Sequence, residues 1–229
     1  MVRTMDPAIV KTSFWNQLSD VFGFYQRTSL LVAAQDANIL ARSTLMASAT
    51  LWESFISDLF VAYINRDPSR FAEHMQSALA ATLSPKQAVI QQNFAKFTPP
   101  SSIPKKLILK IIDHNGSNLT FEGAKSLADG AKRYLNAQDR LPFMNLTGQQ
   151  KACLNLWLAA RNHIAHDSDK SRIALKDAVT DGRLNGTGLQ RNQNQIINTG
   201  AYLRAASAPG GVTRLEVLIN EMLLISTVL

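Results

Sequence analysis

The spacing of apolar residues between positions 36 and 65 constrains the fold of this chain more than any other feature. Apolar side chains recur there at alternating steps of four and three, which places them on one face of an α-helix: Leu45, Ala49, Trp52, Ile56, Leu59 and Tyr63. The pattern predicts one long helix over about residues 36–65. We expect this helix to lie at the centre of the fold.

Capping signals predict further helices. A capping side chain before a proline, or a Ser/Thr-x-x-Glu/Gln sequence, marks a helix start at Asp6-Pro7, Asp67-Pro68, Ser84-Pro85, Thr147-x-x-Gln150 and Thr213-x-x-Glu216. No convincing alternating run bounded by turns is present, although residues 105–112 (KKLILKII) fit a strand as well as a short buried helix. The sequence therefore predicts an all-α fold.

Two stretches are expected to be irregular surface loops. Residues 98–104 contain three prolines, which lack amide donors. The second stretch begins near residue 181 and reaches about residue 212; its Asp-Gly and Asn-Gly pairs also allow a small hairpin. The final residues 213–229 are apolar on most sides, which predicts burial in the core or against a second subunit. We expect residues 1–229 to form a single domain.

Composition excludes several classes of protein. With 229 residues, 46% of them hydrophobic, the chain can bury a sizeable core and is not a disordered tail. No uninterrupted apolar run approaches the roughly 18 residues that cross a bilayer, and Asp6-Pro7 interrupts any signal sequence, so we expect a soluble, cytoplasmic protein without membrane contact. Cys153 stands among apolar neighbours, which favours a small buried side chain over a nucleophile.

The charge balance favours a polyanionic partner. Lys and Arg number 24 against 17 Asp and Glu, giving a net charge of +7. Basic residues that could line an RNA path are Lys105, Lys106, Lys110, Lys132, Arg133, Arg183, Arg191 and Arg204. A solvated basic surface with no such partner is the alternative.

Polar side chains that could carry chemistry concentrate at the end of one apolar segment. Within residues 154–169 (LNLWLAARNHIAHDSD), Arg161, Asn162, His163 and His166 lie in six positions. On an ideal helix Arg161 and His166 point about 140° apart, so they meet at one ligand only if the helix ends or loosens. The sequence Asp167-Ser168-Asp169 offers caps for a following helix, which makes a break there plausible.

The stretch Arg161-Asn162-His163-Ile164-Ala165-His166 resembles the signature of the HEPN superfamily, an arginine and a polar residue followed by a histidine. Upstream, residues 51–56 (LWESFI) are similar to the matching helix of the RiboL-PSP-HEPN branch. The resemblance implies a HEPN-like helical bundle. It also implies a metal-independent endoribonuclease, with no cofactor, that forms a homodimer with a composite active site.

The resemblance further implies roles for individual residues. RNA carries its own nucleophile, the ribose 2′-OH, so cleavage needs proton transfer and a cation but no metal. His166 is expected to transfer protons, Arg161 to stabilise the charged phosphate, and Asn162 to orient the phosphate or an imidazole. The family also suggests a role in toxin-antitoxin systems or antiviral defence, with a partner protein that inhibits or activates the enzyme.

Two further residues belong to the predicted site in supporting roles. Glu53 lies at the edge of the apolar stripe, where it is placed to pair with Arg161 or orient His166; a solvated glutamate is the alternative. His163 is expected to cap the helix or face solvent rather than catalyse.

Several other functions compete with RNA cleavage. Arg161 and His166 could instead form structural ion pairs with Asp167, Asp169 or Glu53. A metal phosphohydrolase of the HD type is suggested by the His-Asp pair at 166–167, with His114 as a further ligand, but its other ligands are missing. DNA binding is a poor fit, because no exposed helix face gathers the side chains that read a groove. A non-catalytic HEPN-like module that binds RNA or nucleotide, or serves oligomerisation, uses the same helices without turnover.

Overall fold

The computed structural model describes residues 6–84, 86–89, 100, 102–112, 119–192, 196, 198–209 and 211–229 of the chain. Within them the ordered elements are helices: α1 (Pro7–Ser29), α2 (Ala34–Arg66), α3 (Ser69–Ala80), α4 (Lys105–Ile112), α5 (Ala124–Tyr134), α6 (Ala137–Met144), α7 (Gly148–His166), α8 (Asp169–Val179), a 3-10 turn (Gly182–Leu184), α9 (Thr199–Arg204) and α10 (Arg214–Val228). No strand occurs in these ranges, and the one β-bridge joins Ala206 to Thr213. The all-α prediction is confirmed.

Helix α2 is the predicted long helix, and it extends by a residue or two beyond the expected range of 36–65. All six residues of its apolar stripe are at most 5% exposed. Helices α1, α7, α9 and α10 pack around it. Burial on this scale stabilises the fold because each large apolar side chain removed from water contributes about 1.5–3 kcal/mol.

Local hydrogen bonding explains why several helices begin where the sequence predicts. The Asp6 carboxylate accepts from the Ala8 amide at 2.8 Å before α1. Reciprocal capping boxes open α7 and α10, at Thr147 with Gln150 and at Thr213 with Glu216. The ambiguous segment 105–112 is a helix.

The other predicted helix starts and the proline-rich loop are only partly described. Helix α3 begins at Ser69, just after Asp67-Pro68, and the Asp67 carboxylate accepts from the Ser69 amide. The start predicted at Ser84-Pro85 is followed by helical residues 86–89, although Pro85 itself lies outside the described residues. In the predicted loop 98–104, Pro100 and residues 102–104 are non-helical, and the remainder is outside that range.

The described part of the stretch near 181–212 has more regular structure than the sequence predicts. It contains the 3-10 turn directly after Asp181, where a hairpin had been an alternative, and the six-residue helix α9. Tyr202 of α9 is buried, and its hydroxyl donates to the Leu189 carbonyl at 2.7 Å. The expectation of an irregular loop missed this helix because a few buried contacts order a short polar sequence that has little helical periodicity of its own.

Helix α10 is buried along one face, as predicted for residues 213–229. Its first residue, Arg214, is 4% exposed and holds the preceding stretch in place. The guanidinium donates to the carbonyls of Gly188 and Tyr202, at 2.9 and 3.1 Å, and lies 5.2 Å from the Tyr202 ring centroid. Arg214 therefore links α10 to α9 and the turn before it.

Replacement of Arg214 by methionine is expected to lower the free energy of unfolding by about 1–3 kcal/mol, because two buried carbonyls lose their donors while the apolar volume is kept. Urea denaturation followed by circular dichroism measures the change. Arg172→Met, at an exposed pair on α8, is the matched control and is expected to change stability by less than about 0.5 kcal/mol. Equal stability of the two variants would contradict the structural role of Arg214.

Helix α2 is also long and apolar enough to cross a membrane, the one such helix among the described residues, although the sequence has no uninterrupted apolar run of that length. Of its most apolar window, 61% is buried inside the fold. The same helix supplies Trp52, Phe55 and Tyr63 to the aromatic core. Its apolar character is therefore accounted for by packing within the protein.

Candidate active site

The predicted site residues on α2 and α7 are brought together by a pair of buried tryptophans. Trp52 of α2 packs edge-on against Trp157 of α7 with ring centroids 5.1 Å apart, and both rings are at most 4% exposed. Glu53 follows Trp52, and Arg161 lies one helical turn after Trp157. The tryptophan contact thus fixes two polar side chains opposite each other at the rim of the core.

Glu53 and Arg161 form an ion pair. The Arg161 Nη2 atom lies 2.9 Å from Glu53 Oε1, and Nη1 donates to Asn162 Oδ1 at 2.9 Å. The side chains of Arg161 and Glu53 are 26% and 20% exposed. A guanidinium has five N–H donors, so these two contacts leave donors free for a ligand. Of the two partners expected for Glu53, the structure places it against Arg161.

His166 is the last residue of α7. The helix stays regular up to it, and Asp167 then turns the chain with a left-handed backbone, φ 41°. His166 is exposed and has no hydrogen bond or ion pair with any residue that the structure describes. Because the helix does not loosen between Arg161 and His166, the separation of about 140° holds within one chain. Within one protomer the two residues therefore lie on different sides of the helix.

His163 lies on the half-buried side of the same helix end. Its Nδ1 atom is 3.5 Å from Ser171 Oγ, and Nε2 is 4.0 Å from a carboxylate oxygen of the exposed Asp167. These contacts join the end of α7 to the start of α8, where Ser168 and Ser171 form a capping box. Ser171 was not among the predicted site residues. The Ser-x-x-Ser spacing at 168–171 is a capping pattern from which its position at the start of α8 could have been predicted.

The alternative of structural ion pairs is realised only in part. Arg161 pairs with Glu53, as that alternative allowed, but Asp169 pairs with Arg172 instead. His166 takes no part in an ion pair among the described residues. Arg161 is therefore bound to a residue of its own chain, whereas His166 remains accessible.

The described residues offer little for other chemistry. Cys153 is 2% exposed, and burial raises the pKa of its thiol to about 12, as fits a small core side chain. No group of three or more His, Cys, Asp or Glu side chains suited to a metal is present within that part of the chain. His114, the further ligand of the HD-type alternative, lies outside it.

Comparison with protein families supplies a match for most of the chain. The model of the RiboL-PSP-HEPN family matches residues 16–184, a range that contains both Glu53 and the segment from Arg161 to His166. The chain belongs to the RiboL-PSP-HEPN family. No curated protein and no solved structure matches it.

Membership of the RiboL-PSP-HEPN family indicates a nuclease-type or otherwise RNA-related function. The match ends at residue 184, before α9 and α10. Those two helices pack on α2, and α10 also contacts α7. The site therefore rests on helices inside the matched range, supported by helices beyond it.

Proposed function

We propose that this RiboL-PSP-HEPN protein is a metal-independent endoribonuclease that acts as a toxin-type or defence effector in the cytoplasm. One observation carries the proposal. Glu53 of α2 and Asn162 of α7 hold Arg161 in place, and α7 ends on His166, whose side chain is exposed and without a partner among the described residues. A fixed cation and a free imidazole, brought together from two copies of the same helix, suit a reaction that needs charge stabilisation and proton transfer.

The chemistry uses only groups of the RNA and of this chain. A base removes the ribose 2′-OH proton, and the 2′ oxygen attacks the adjacent phosphorus. The bond from phosphorus to the 5′ oxygen breaks, an acid protonates the leaving oxygen, and a 2′,3′-cyclic phosphate remains. The Arg161 guanidinium stabilises the phosphorane because it bonds two phosphate oxygens through a planar fork.

A homodimer would complete the site. The reaction needs a base and an acid, and one protomer supplies a single His166, on a different side of α7 from Arg161. Two copies of α7 related by a two-fold axis would present two imidazoles to one phosphate, one as base and one as acid. The angular separation along α7 supports this arrangement.

A second candidate is a HEPN-like module that binds RNA or nucleotide, or serves oligomerisation, without turnover. The ion pair between Glu53 and Arg161 favours it, because a paired arginine already has a structural partner. The exposed His166 favours catalysis, since such a module has no need for a free imidazole beside the arginine. Whether RNA that binds the protein is also cleaved distinguishes the two candidates.

Purified protein is expected to cleave cellular RNA at an unchanged rate in excess chelator and to leave 2′,3′-cyclic phosphate ends, because no step requires a metal. Gel analysis of fragments and enzymatic typing of their ends measure both properties. Cleavage abolished by chelator would contradict the metal-independent mechanism. RNA that is bound but never cut would favour the non-catalytic module.

A further inference from the structure

A polar cleft lies on α5, away from the residues discussed so far. It has a volume of about 470 Å³, large enough for a nucleotide-sized group, and its walls include Phe121, Ser126, Asp129, Arg133 and Tyr134. The Phe121 ring packs directly on Gly130, where a side-chain carbon would come within 2.5 Å of it. The glycine therefore lets an aromatic ring lie in the cleft wall.

Arg133 supplies the positive charge of this cleft. Its side chain is exposed, and it forms no hydrogen bond or ion pair with another residue in the described part of the chain. Its guanidinium carbon lies 5.8 Å from the Tyr134 ring centroid, which orients the group without neutralising it. A guanidinium oriented on an aromatic ring suits a phosphate of a nucleic acid, and the nearest acidic residue of the cleft, Asp129 one helical turn earlier, forms no ion pair with it among the described residues.

Side chains of α3 contact Tyr134 but add little positive charge to the cleft. The His74 ring packs edge-on against Tyr134, with centroids 5.1 Å apart. Burial lowers the pKa of His74, and the charges of Arg133 and Arg70 lower it further. Arg70 is itself paired with Glu73 at an exposed site, so Arg133 remains the main available cation of the group.

The cleft adjoins the candidate active site. A narrow crevice between α2, α5 and α7 has Glu53 at one end and shares Leu119 and Phe121 with the cleft. Its volume of about 10 Å³ holds no more than one water molecule, so no base enters it. A strand passing from Arg161 to Arg133 would cross over the crevice and reach the larger cleft.

We propose that the cleft at Arg133 binds the phosphate backbone of a single-stranded RNA segment that extends from the Arg161 site across Phe121. This inference rests on the proposed function for the position of the scissile phosphate, but RNA binding at Arg133 is testable without cleavage. Asp129 also lines the cleft and repels phosphate, so we place the phosphate at Arg133 and Tyr134. The cleft thereby binds the part of the RNA next to the cleaved bond, while the cleaved bond itself lies at Arg161.

Binding is measured by fluorescence anisotropy of a labelled single-stranded RNA of about 20 nucleotides, long enough to reach both sites. The His166→Ala background prevents cleavage during the measurement. Adding Arg133→Ala is expected to weaken binding about three- to tenfold and to reduce the slope of log affinity against log salt by about 0.7, the value for one lost phosphate contact on a single strand. Thermal unfolding checks that the variants remain folded.

Lys125→Ala is the matched control, because this exposed lysine also lies on α5, carries the same charge and does not line the cleft. It is expected to change affinity less than twofold. Equal losses for Lys125→Ala and Arg133→Ala would overturn the proposal, since they would reflect net charge alone. Unchanged binding in Arg133→Ala would overturn it as well.

Cleavage kinetics separate this proposal from the proposed function. Against the long RNA, Arg133→Ala in the otherwise native protein is expected to raise KM three- to tenfold with kcat unchanged, and against a dinucleotide to change neither. Equal effects on both substrates would overturn the flanking site. A protein that cuts no RNA, yet loses affinity in Arg133→Ala, would refute the nuclease while supporting the cleft.

Discussion

Replacement of His166 by alanine is expected to reduce the rate of RNA cleavage by about 10²- to 10⁴-fold, the contribution typical of a group that transfers a proton in the transition state. The free energy of unfolding is expected to change by less than about 0.5 kcal/mol, because the side chain is exposed and makes no hydrogen bond or ion pair with another described residue. Initial rates on a fluorogenic RNA and urea denaturation measure the two quantities.

His163→Ala is the matched control for this substitution. It removes an imidazole from the same helix end, but one that lies between Ser171 and Asp167 and is only partly exposed. Its expected effects are a loss of stability of about 0.5–1 kcal/mol and a change in cleavage rate of less than tenfold. Cleavage lost in His163→Ala and kept in His166→Ala would reverse the assignment of the two histidines.

The helix starts that could be predicted are those whose hydrogen bonds are local. At Asp6, Thr147 and Thr213 the capping side chain and the amide it bonds are separated by two or three residues, so the sequence holds all the information. The apolar stripe of α2 was predictable for the same reason, since its spacing alone defines the buried face.

The start of α5 shows why other elements could not be predicted. This helix begins after Gly123, which has no capping side chain, and the amide of Ala124 donates instead to Asn155 Oδ1 of α7 at 2.9 Å. A side-chain carbon at Gly123 would lie 2.8 Å from that same oxygen. The cap is therefore supplied across the fold, which a local pattern does not reveal.

The candidate site was also predictable only in part: the order of its residues along α7 is local, whereas their partners depend on contacts between helices. The order of Arg161, Asn162 and His166 is visible in the sequence, and so is their angular spacing on a helix. The choice between the two expected partners of Glu53 depends on the packing of Trp52 against Trp157, which sets the register of α2 against α7. The cleft at Arg133 depends on Gly130 and Phe121, whose contact links two segments and has no motif.

Replacement of Arg161 by lysine is expected to lower kcat by about 10²- to 10³-fold, the cost typical of removing one donor to a developing oxyanion. Lysine keeps the positive charge and remains long enough to approach Glu53. It lacks the planar fork that bonds Glu53, Asn162 and a phosphate at the same time. Single-turnover cleavage of the labelled RNA measures the chemical step.

Stability of the same variant separates a catalytic arginine from a structural one. The pair with Glu53 is partly exposed, so its loss is expected to lower the free energy of unfolding by no more than about 1 kcal/mol. Arg172→Lys, in the exposed pair with Asp169, is the control and is expected to alter neither rate nor stability. A destabilised Arg161→Lys protein that cleaves RNA at the native rate would contradict the catalytic role of the planar fork, because the lysine charge would then be sufficient at the phosphate.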